Sequence, residues 1–345
     1  MSSDELAAIV DRTSADEVIP ALKSAGIYDR QRRIEPLDGD ELAIPVTETK
    51  SLSMVDRFER GIATSHRRRT LADYLLDRGW TTEELDLAPS SYARVGDIIV
   101  VSDDLQHRPH DVGAALLELH GDTRTVVSIE EIEGEQRHPE IRHIAGENRT
   151  TTIHREHGLE YALDLQEVMF SIGNQHERIR MRSVVTTGER VLDLCAGIGY
   201  FTLPIADGGG QVIAIEHNPT AFRWLSKNMT LNGLDDRITP VMADCRTVTA
   251  SADRAIIGHL PVHDCRDDPR DFGSGYLDTA VRSVSSGWLH VHGIAWSDHH
   301  DQARDALCDR LTSRGVELRE CSVERVKGIA PKTDHIVIDA RIRAT

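Results

Sequence analysis

The chain has 345 residues, with 40 basic and 57 acidic side chains and a formal net charge of −17. This length predicts two or three domains, each large enough to bury a core. The sequence contains no apolar run of about 18 residues and no basic, then apolar leader, so we expect a cytoplasmic protein that does not cross a membrane. The five cysteines form no C-x-x-C pair, which argues against a zinc site and against a disulfide framework.

The acidic balance has two interpretations. Only five of the basic residues are lysines, and arginine supplies the rest. One interpretation is that no nucleic acid binds, because phosphates favour a basic surface. The other is adaptation to a cytoplasm of molar salt, where the Debye length is about 3 Å and only close arginine–phosphate contacts persist. We favour the second interpretation, because the first does not explain the scarcity of lysine.

The N-terminal part is predicted to form smaller domains of mixed structure. Residues 1–47 have the pattern of a small α/β domain, with a helix over 6–10, a second helix over 18–22 that ends at Gly26, and a strand over 42–46. Residues 48–84 are interpreted as a polar linker or insert. They contain the basic run 66–69, which indicates a solvated helix face or, alternatively, a phosphate contact.

Residues 85–160 are predicted to form a second α+β domain. Its elements are a strand over 95–101, a helix over 107–120, a strand over 125–132 and two further strands within 154–165.

From residue 161 to 345 strands and helices alternate, which is typical of a parallel sheet covered on both faces. Strands are predicted over 191–195, 211–216, 238–244, 254–259, 288–294, 316–326 and 335–342. Helices are predicted over 201–206, 219–232, 275–285 and 298–314. The last two strands have no helix between them and are expected to form an antiparallel hairpin. The pattern predicts an α/β fold of the class I methyltransferase (Rossmann-like) type, with a seven-stranded, mostly parallel sheet.

The strand that ends at Asp193 leads into a turn with Gly197 and Gly199, followed by a helix. Ligands bind at the carboxyl ends of such strands, and glycines allow the backbone to approach them closely. The dinucleotide motif G-x-G-x-x-G is absent, which favours a different nucleoside cofactor. The Asp193 carboxylate is suited to the ammonium group of such a cofactor.

Two further acids end the next two strands. Glu216 ends the second strand and is suited to accept hydrogen bonds from both ribose hydroxyls. Asp244 ends the third and is suited to an adenine amine, with the backbone N–H of Cys245 meeting a ring nitrogen. Ammonium, ribose and adenine together indicate S-adenosyl-L-methionine.

Residues 85–345 resemble a known family. The likeness lies in residues 134–137, 145–149, 154–165, 169–181, 193–201 and 252–257. These stretches are similar to the tRNA position-37 family of S-adenosylmethionine-dependent transferases. The family comprises guanosine-37 N1-methyltransferases and aminocarboxypropyltransferases of wybutosine synthesis. Residues 1–47 resemble, more weakly, the small N-terminal domain of an archaeal branch of the methyltransferases.

The resemblance implies roles for several residues. Ser171 and Arg178 match a serine and an arginine that contact the cofactor in the family. A surface salt bridge is the alternative for Arg178. Arg137 matches an arginine that reaches the active site in the methyltransferase branch, where it can hold a phosphate or a base oxygen.

The resemblance is closest to the aminocarboxypropyl branch, in its halophilic archaeal form. Methyltransferases end their fourth strand with an asparagine that places the base, whereas this chain has Gly258 followed by His259. His290 and His292 on the next strand resemble the His-x-His stretch of the aminocarboxypropyl branch. Residues at i and i+2 face the same side of a strand. We expect structural or substrate-contacting histidines rather than a metal pair, and no metal site.

The resemblance implies a tRNA(Phe) 4-demethylwyosine aminocarboxypropyltransferase, with Arg137, Gly258 and His259 as candidate catalytic-site residues. The substrate partner is then a tRNA, and its base at position 37 receives the transferred group. Three alternatives remain open: a guanosine-37 N1-methyltransferase, a non-catalytic tRNA-binding module, and a small-molecule methyltransferase. The long N-terminal extension disfavours the last.

Overall fold

The computed structural model describes residues 6–62, 64, 67–102, 105–133, 138–259 and 274–344. The chain divides into two compact units, Met1–Asp86 and Leu87–Thr345. Within the described residues, no helix combines the length and apolar character that crossing a bilayer requires.

The first unit is built on an antiparallel sheet. Its elements are β1 (Leu6–Asp11), α1 (Ala15–Ser24), β2 (Glu35–Pro36), β3 (Glu41–Pro45), β4 (Arg57–Arg60) and α2 (Leu71–Asp77). The strand order is β2-β3-β1-β4, so β1 is a central strand with a neighbour on each side.

The helix predicted over residues 6–10 is wrong, because these residues form β1. Their side chains alternate between two sides: Ala8 and Val10 pack in the cluster that contains α1, whereas Ala7 and Ile9 face the opposite side. All are fully buried. A strand buried on both faces is a continuous apolar run, and periodicity alone cannot distinguish such a run from a short buried helix.

A buried arginine joins distant parts of the first unit. The Arg32 side chain donates to the carbonyl oxygens of Leu6 and Val46, each at 2.9 Å, and to Thr64 Oγ1 at 3.1 Å. It also pairs with Asp29 at 2.8 Å. Segment 48–84 thus contributes Thr64, β4 and α2 to this unit.

The basic run 66–69 comes just before α2, and its first residue lies outside the described residues. Arg67 donates to an Asp73 carboxylate oxygen at 2.5 Å, and the Arg69 guanidinium lies 4.0 Å from the centre of the Tyr74 ring. These two arginines of the run therefore contact the helix that follows them.

The second unit begins with a small mixed sheet and a hairpin. Its first elements are β5 (Ala93–Val95), β6 (Ile98–Val101), α3 (Pro109–Leu119), β7 (Thr125–Glu133), β8 (His138–Gly146), β9 (Thr151–Glu156) and β10 (Leu159–Asp164). The sheet order is β5-β6-β7-β8, and β9 pairs with β10. The single strand predicted over 95–101 is two strands, because the chain turns at Gly96, where φ is +58°. Strand β8 was not predicted.

A seven-stranded sheet forms the rest of this unit. Its strands are β11 (Arg190–Asp193), β12 (Gln211–Glu216), β13 (Ile238–Met242), β14 (Arg254–Ile257), β15 (Ser286–Trp296), β16 (Val316–Ala330) and β17 (Thr333–Ala344). The helices are α4 (Gln175–Val184), α5 (Thr202–Asp207), α6 (Pro219–Leu231), α7 (Ser274–Ser283) and α8 (His300–Thr312).

The strand order in this sheet is β13-β12-β11-β14-β15-β17-β16. The first five strands pair in parallel, whereas β17 is antiparallel to both β15 and β16. The predicted terminal hairpin is confirmed. The sheet itself is mixed rather than mostly parallel as predicted, because its last strand enters between two strands that run the other way.

A buried asparagine of α6 joins the β9–β10 hairpin to this sheet. Asn228 is fully buried and accepts a hydrogen bond from Ala162 N at 2.8 Å. It donates to Ala162 O at 3.1 Å and to Ile198 O at 3.0 Å. Its amide thus satisfies three backbone groups, and Ile198 lies in the turn after β11.

We expect Asn228→Leu to lower the free energy of unfolding by about 2–4 kcal/mol, since each buried backbone group left without a partner costs roughly 1–3 kcal/mol before relaxation. Chemical denaturation followed by tryptophan fluorescence measures the change. The control is Thr230→Ala on the exposed side of the same helix, with an expected change within about 0.5 kcal/mol. Equal stability of Asn228→Leu and the native chain would contradict this account.

Candidate cofactor-binding site

The site begins with a buried carboxylate at the end of β11. Asp193 is fully buried, accepts a hydrogen bond from Thr202 Oγ1 at 2.7 Å and faces the Cys195 amide at 3.4 Å. Burial raises its pKa to about 6, in spite of these hydrogen bonds. A buried carboxylate with a raised pKa is a site that a cation stabilises.

The turn after Asp193 requires its glycines. Gly197 and Gly199 have φ of +57° and +105°, in the left-handed region that other residues avoid. A Cβ at Gly199 would lie 2.9 Å from Leu203 Cγ, so the turn packs directly on α5. A Cβ at Gly197 would lie 2.9 Å from the Tyr200 ring. The turn is thus a tightly folded cradle, as the sequence predicted.

Glu216, at the end of β12, is held against this turn. Its carboxylate accepts from Gly197 N at 2.8 Å and from Asn218 N at 2.7 Å. The residue is 7% exposed. The glycine turn and the acid predicted to bind ribose are therefore adjacent in the structure.

Asp244 and Cys245 follow β13. The Asp244 carboxylate accepts hydrogen bonds from the side chain and the backbone N–H of Arg246, and these lower its pKa to about 2. Cys245 is buried, and its thiol bonds to that of Cys195 in the turn after β11; this bond and burial raise the pKa of the Cys195 thiol. The three predicted acids thus stand at neighbouring strand ends.

Ser171 and Arg178 precede the sheet. The Arg178 side chain is 2% exposed and makes two hydrogen bonds to Glu156, at 2.7 and 2.8 Å. It also donates to Ser171 O at 3.0 Å. The alternative of a surface salt bridge for Arg178 is therefore wrong: the ion pair is buried, and it fixes the backbone of Ser171.

Glu156 is a residue that the sequence reasoning missed. It accepts from Arg178 and, at 3.0 Å, from His154 Nε2. Burial alone would raise the pKa of Glu156, but the hydrogen bonds from His154 and Arg178 outweigh burial and lower it. The sequence does carry a signal for Glu156: His154 and Glu156 are two positions apart and therefore share one side of the predicted strand.

Gly258 and His292 are brought together by an aromatic ring. A Cβ at Gly258 would lie 3.0 Å from the Phe201 ring. The Phe201 ring also stacks on the His292 ring, with 4.8 Å between the ring centres. Phe201 therefore fills the space that a side chain at 258 would need. His259 lies beside Tyr276, with 5.2 Å between ring centres.

His290 has a different environment from His292. Its Nδ1 is 2.6 Å from Asp339 Oδ1, and its Nε2 is 2.5 Å from an Arg254 nitrogen. Burial lowers the pKa of both histidines, and His335, at 2.9 Å from His292 Nδ1, lowers that of His292 further. The two rings are thus buried in surroundings that disfavour their protonated forms.

Two sequence predictions need separate mention. Arg137 lies outside the described residues. In the ranges that the structure describes, no three His, Cys, Asp or Glu side chains form a group that could hold a metal ion.

The fold and the site define a class I S-adenosylmethionine-dependent transferase. The sheet order is that of the class, the glycine turn forms a cradle, and the acids at three strand ends suit an ammonium, a ribose and an adenine. The TRM5/TYW2 methyltransferase domain matches residues 152–308, and the TYW2 N-terminal domain matches residues 72–150. The chain belongs to the TRM5/TYW2 family of tRNA-modifying transferases, as the sequence predicted.

Three relatives illustrate the match. A tRNA(Phe) (4-demethylwyosine(37)-C(7)) aminocarboxypropyltransferase from Methanocaldococcus jannaschii is 32% identical over 256 residues, which cover 72% of this chain and 97% of the relative. The crystal structure of Trm5b from Pyrococcus abyssi has a TM-score of 0.72 at 27% identity, covering 98% of this chain and 99% of that one. M. jannaschii TYW2 in complex with AdoMet has a TM-score of 0.57 at 27% identity, covering 74% and 100%.

The raised pKa of Asp193 makes stability depend on pH. Between the unfolded pKa of 3.8 and the folded pKa of about 6, the unfolded state binds fewer protons, so stability falls as pH rises through this window. Asp193→Asn removes this loss. Relative to the native chain, the cofactor-free variant should therefore gain about 2 kcal/mol between about pH 4.5 and about pH 7.5.

Urea denaturation of both proteins at the two pH values measures this gain, and groups that titrate in both proteins cancel. The control is Asp253→Asn, because the hydrogen bond from Arg190 lowers the pKa of Asp253, and its stability difference should be the same at both pH values. If the relative stability of Asp193→Asn rose no more between the two pH values than that of the control, Asp193 would not be desolvated.

Proposed function

We propose that the protein is a tRNA(Phe) 4-demethylwyosine aminocarboxypropyltransferase, which transfers the 3-amino-3-carboxypropyl group of S-adenosylmethionine to C7 of the tricyclic base at position 37. The observation that carries the proposal is Gly258 with Phe201 against it. A methyltransferase of the family uses an asparagine at this place, where this chain has glycine. A Cβ here would lie 3.0 Å from the Phe201 ring, so an asparagine would require that ring to shift. The base-placing amide is therefore lacking.

The cofactor residues have separate tasks in this proposal. Asp193 meets the ammonium group, Glu216 the ribose hydroxyls and Asp244 the adenine amine, while Cys245 offers its backbone N–H to the adenine ring. Ser171, fixed by Arg178, lies at the amino-acid end. Bound S-adenosylmethionine supplies a sulfonium that activates all three attached carbons. The protein then selects the carbon that reacts by holding it in line with the base.

The part of the chain before the catalytic domain is proposed to bind tRNA. Residues 1–47 and 48–84, which fold together as the first unit, and residues 85–160 are proposed to bind tRNA, and residues 161–345 to carry out the transfer. Beside the β5–β6 turn lies a groove of about 810 Å³, lined by Arg94, Arg149, Arg155 and Lys227, together with two aspartates. The three arginines pair with carboxylates in the structure, Arg94 with Asp122, Arg149 with Asp97 and Arg155 with Glu160. We propose that phosphates of the tRNA backbone replace these partners.

Guanosine-37 N1-methyltransferase is the second candidate, and one observation favours it: the fold of Trm5b from P. abyssi matches 98% of this chain, including the first unit. Identity does not separate the two, since the methyltransferase and TYW2 structures are each 27% identical to this chain. A non-catalytic tRNA-binding module is disfavoured by the intact acids at three strand ends.

Replacement of Glu216 tests the cofactor assignment. We expect Glu216→Ala to weaken S-adenosylmethionine binding by about 2–4 kcal/mol, because two hydrogen bonds to a charged group are lost and water replaces them in part. Isothermal titration calorimetry measures the affinity. His217→Ala, a change at an exposed neighbouring side chain, is the control. Unchanged affinity in Glu216→Ala would remove this residue from the ribose site.

The leaving group tests the reaction itself. Aminocarboxypropyl transfer releases methylthioadenosine, whereas methyl transfer releases S-adenosylhomocysteine. We expect tRNA that bears 4-demethylwyosine to yield methylthioadenosine and tRNA with unmodified guanosine-37 to react poorly. Loss of a transition-state contact such as the asparagine amide typically costs about 10²–10³ in rate. Chromatography of the nucleoside product after incubation with each tRNA measures both outcomes.

Stoichiometric S-adenosylhomocysteine with unmodified tRNA would reject the proposal in favour of the methyltransferase. The companion variant is Gly258→Asn, which should not by itself create efficient methylation. Its side chain meets the Phe201 ring, and the amino-acid part of the cofactor keeps its orientation.

A further inference from the structure

The Lys327 side chain extends from β16 to Ser171, in the segment that leads into α4. Its Nζ lies 3.1 Å from Ser171 Oγ. The aliphatic part of the side chain packs on Gly173, where a Cβ would lie 2.8 Å from Lys327 Cδ. The Lys327 side chain is therefore packed along its length, and its ammonium group contacts the Ser171 hydroxyl.

Among the residues that the structure describes, Lys327 has no counterion. All five lysines lie in the described ranges, and Lys327 is the one among them that is not exposed. In those same ranges no carboxylate lies within ion-pair distance of it. Burial lowers the pKa of Lys327, and the charge of Arg178 lowers it further. Arg178 itself is neutralised by Glu156, so the surplus positive charge belongs to Lys327.

A partly desolvated cation without a counterion is costly, and an anion in contact with it recovers the cost. Within the described part of the chain, no carboxylate side chain occupies this place. The missing anion is thus expected from a ligand.

Ser171 lies beside the cofactor turn. Two residues before it, Met169 O accepts a hydrogen bond from the Tyr200 hydroxyl. The Tyr200 ring lies 5.7 Å from that of Phe170 and packs against Gly197. The segment that carries Ser171 is therefore fixed next to the glycine cradle, and Lys327 approaches this segment from the β16–β17 hairpin.

We propose that Lys327 is a further cofactor-binding residue, whose ammonium and the Ser171 hydroxyl together bind the carboxylate of S-adenosylmethionine. The α-carboxylate is the one anionic group of this cofactor. The proposal rests on the proposed function in one respect: the carboxylate then belongs to the group that is transferred. Lys327 holds that group in place while its γ-carbon loses its bond to sulfur and forms a bond to C7 of the base.

The experiment compares two ligands that differ by the aminocarboxypropyl group. S-adenosylmethionine carries the carboxylate, and methylthioadenosine lacks it. We expect Lys327→Met to weaken binding of S-adenosylmethionine about 10–100-fold, the effect of one charged hydrogen bond, and to leave methylthioadenosine within about twofold. Lys327→Arg, which keeps the charge, should retain most of the affinity. Calorimetry on the full chain measures the affinity of the native chain and of each variant for both ligands.

Lys332→Met, at the exposed turn of the same hairpin, is the matched control and should bind both ligands as the native chain does. Equal weakening of both ligands by Lys327→Met would overturn the proposal, because it would indicate a purely structural role. Unchanged binding of S-adenosylmethionine would overturn it as well. No tRNA is present, so the result is independent of the leaving-group assay, which alone decides between aminocarboxypropyl and methyl transfer.

Discussion

The position of the site depends on Arg180, a half-buried arginine held between two carboxylates. Arg180 donates to Glu177 at 2.7 and 2.8 Å, within α4, and to Asp339 of β17 at 2.6 and 3.2 Å. Burial raises the pKa of Glu177, whereas hydrogen bonds from His290 and Arg180 outweigh burial at Asp339 and lower its pKa. Removal of one partner of such a buried pair costs about 3–5 kcal/mol, because it leaves a charge without a counterion.

The same set of interactions continues across the sheet. His290 joins Asp339 to Arg254, and Arg254 bonds in turn to Glu189 at 2.7 Å and to Val184 O, at the end of α4, at 2.9 Å. The helix is thereby attached to β14 and β17 at two points along its length. Because Arg178 lies on this helix and fixes Ser171, the attachment sets the position of Ser171, the residue proposed to bind the amino-acid end of the cofactor.

Much of this arrangement could be predicted from local sequence, and some of it could not. The acids at the ends of β11, β12 and β13 were found because parallel strands bring their carboxyl ends to one edge, so order along the chain implies proximity. The ion pair between Arg180 and Asp339 spans 159 positions, and the bond from Lys327 to Ser171 spans 156. No local pattern carries such pairings. Phe201 was predicted as the start of a helix, but only the structure shows its ring against Gly258.

Misjudged elements have a related cause. The strand β1 was predicted as a helix because burial on both faces hides its alternation. The turn near Gly96 was predicted only as the opening of one strand over 95–101, whereas it separates two strands. In each case the deciding contact is with a residue far along the chain: a Cβ at Gly96 would lie 2.1 Å from Thr152 Oγ1. Secondary structure was therefore least predictable where tertiary packing decides the conformation.

The antiparallel strand β17 has a consequence for how the molecule is made. It is inserted between β15 and β16, although it follows both in the chain. During synthesis the two strands emerge first, and the space between them can be filled only after residues 333–344 leave the ribosome. The pairing of β17 with β16 is a local hairpin, but its pairing with β15 is non-local, and non-local pairings form slowly. Asp339 and His335 arrive with this strand, so a nascent chain that has already produced the glycine turn still lacks the counterion that orients α4. Competence to bind the cofactor is thus expected to be acquired only once β17 has been synthesised and has entered the sheet.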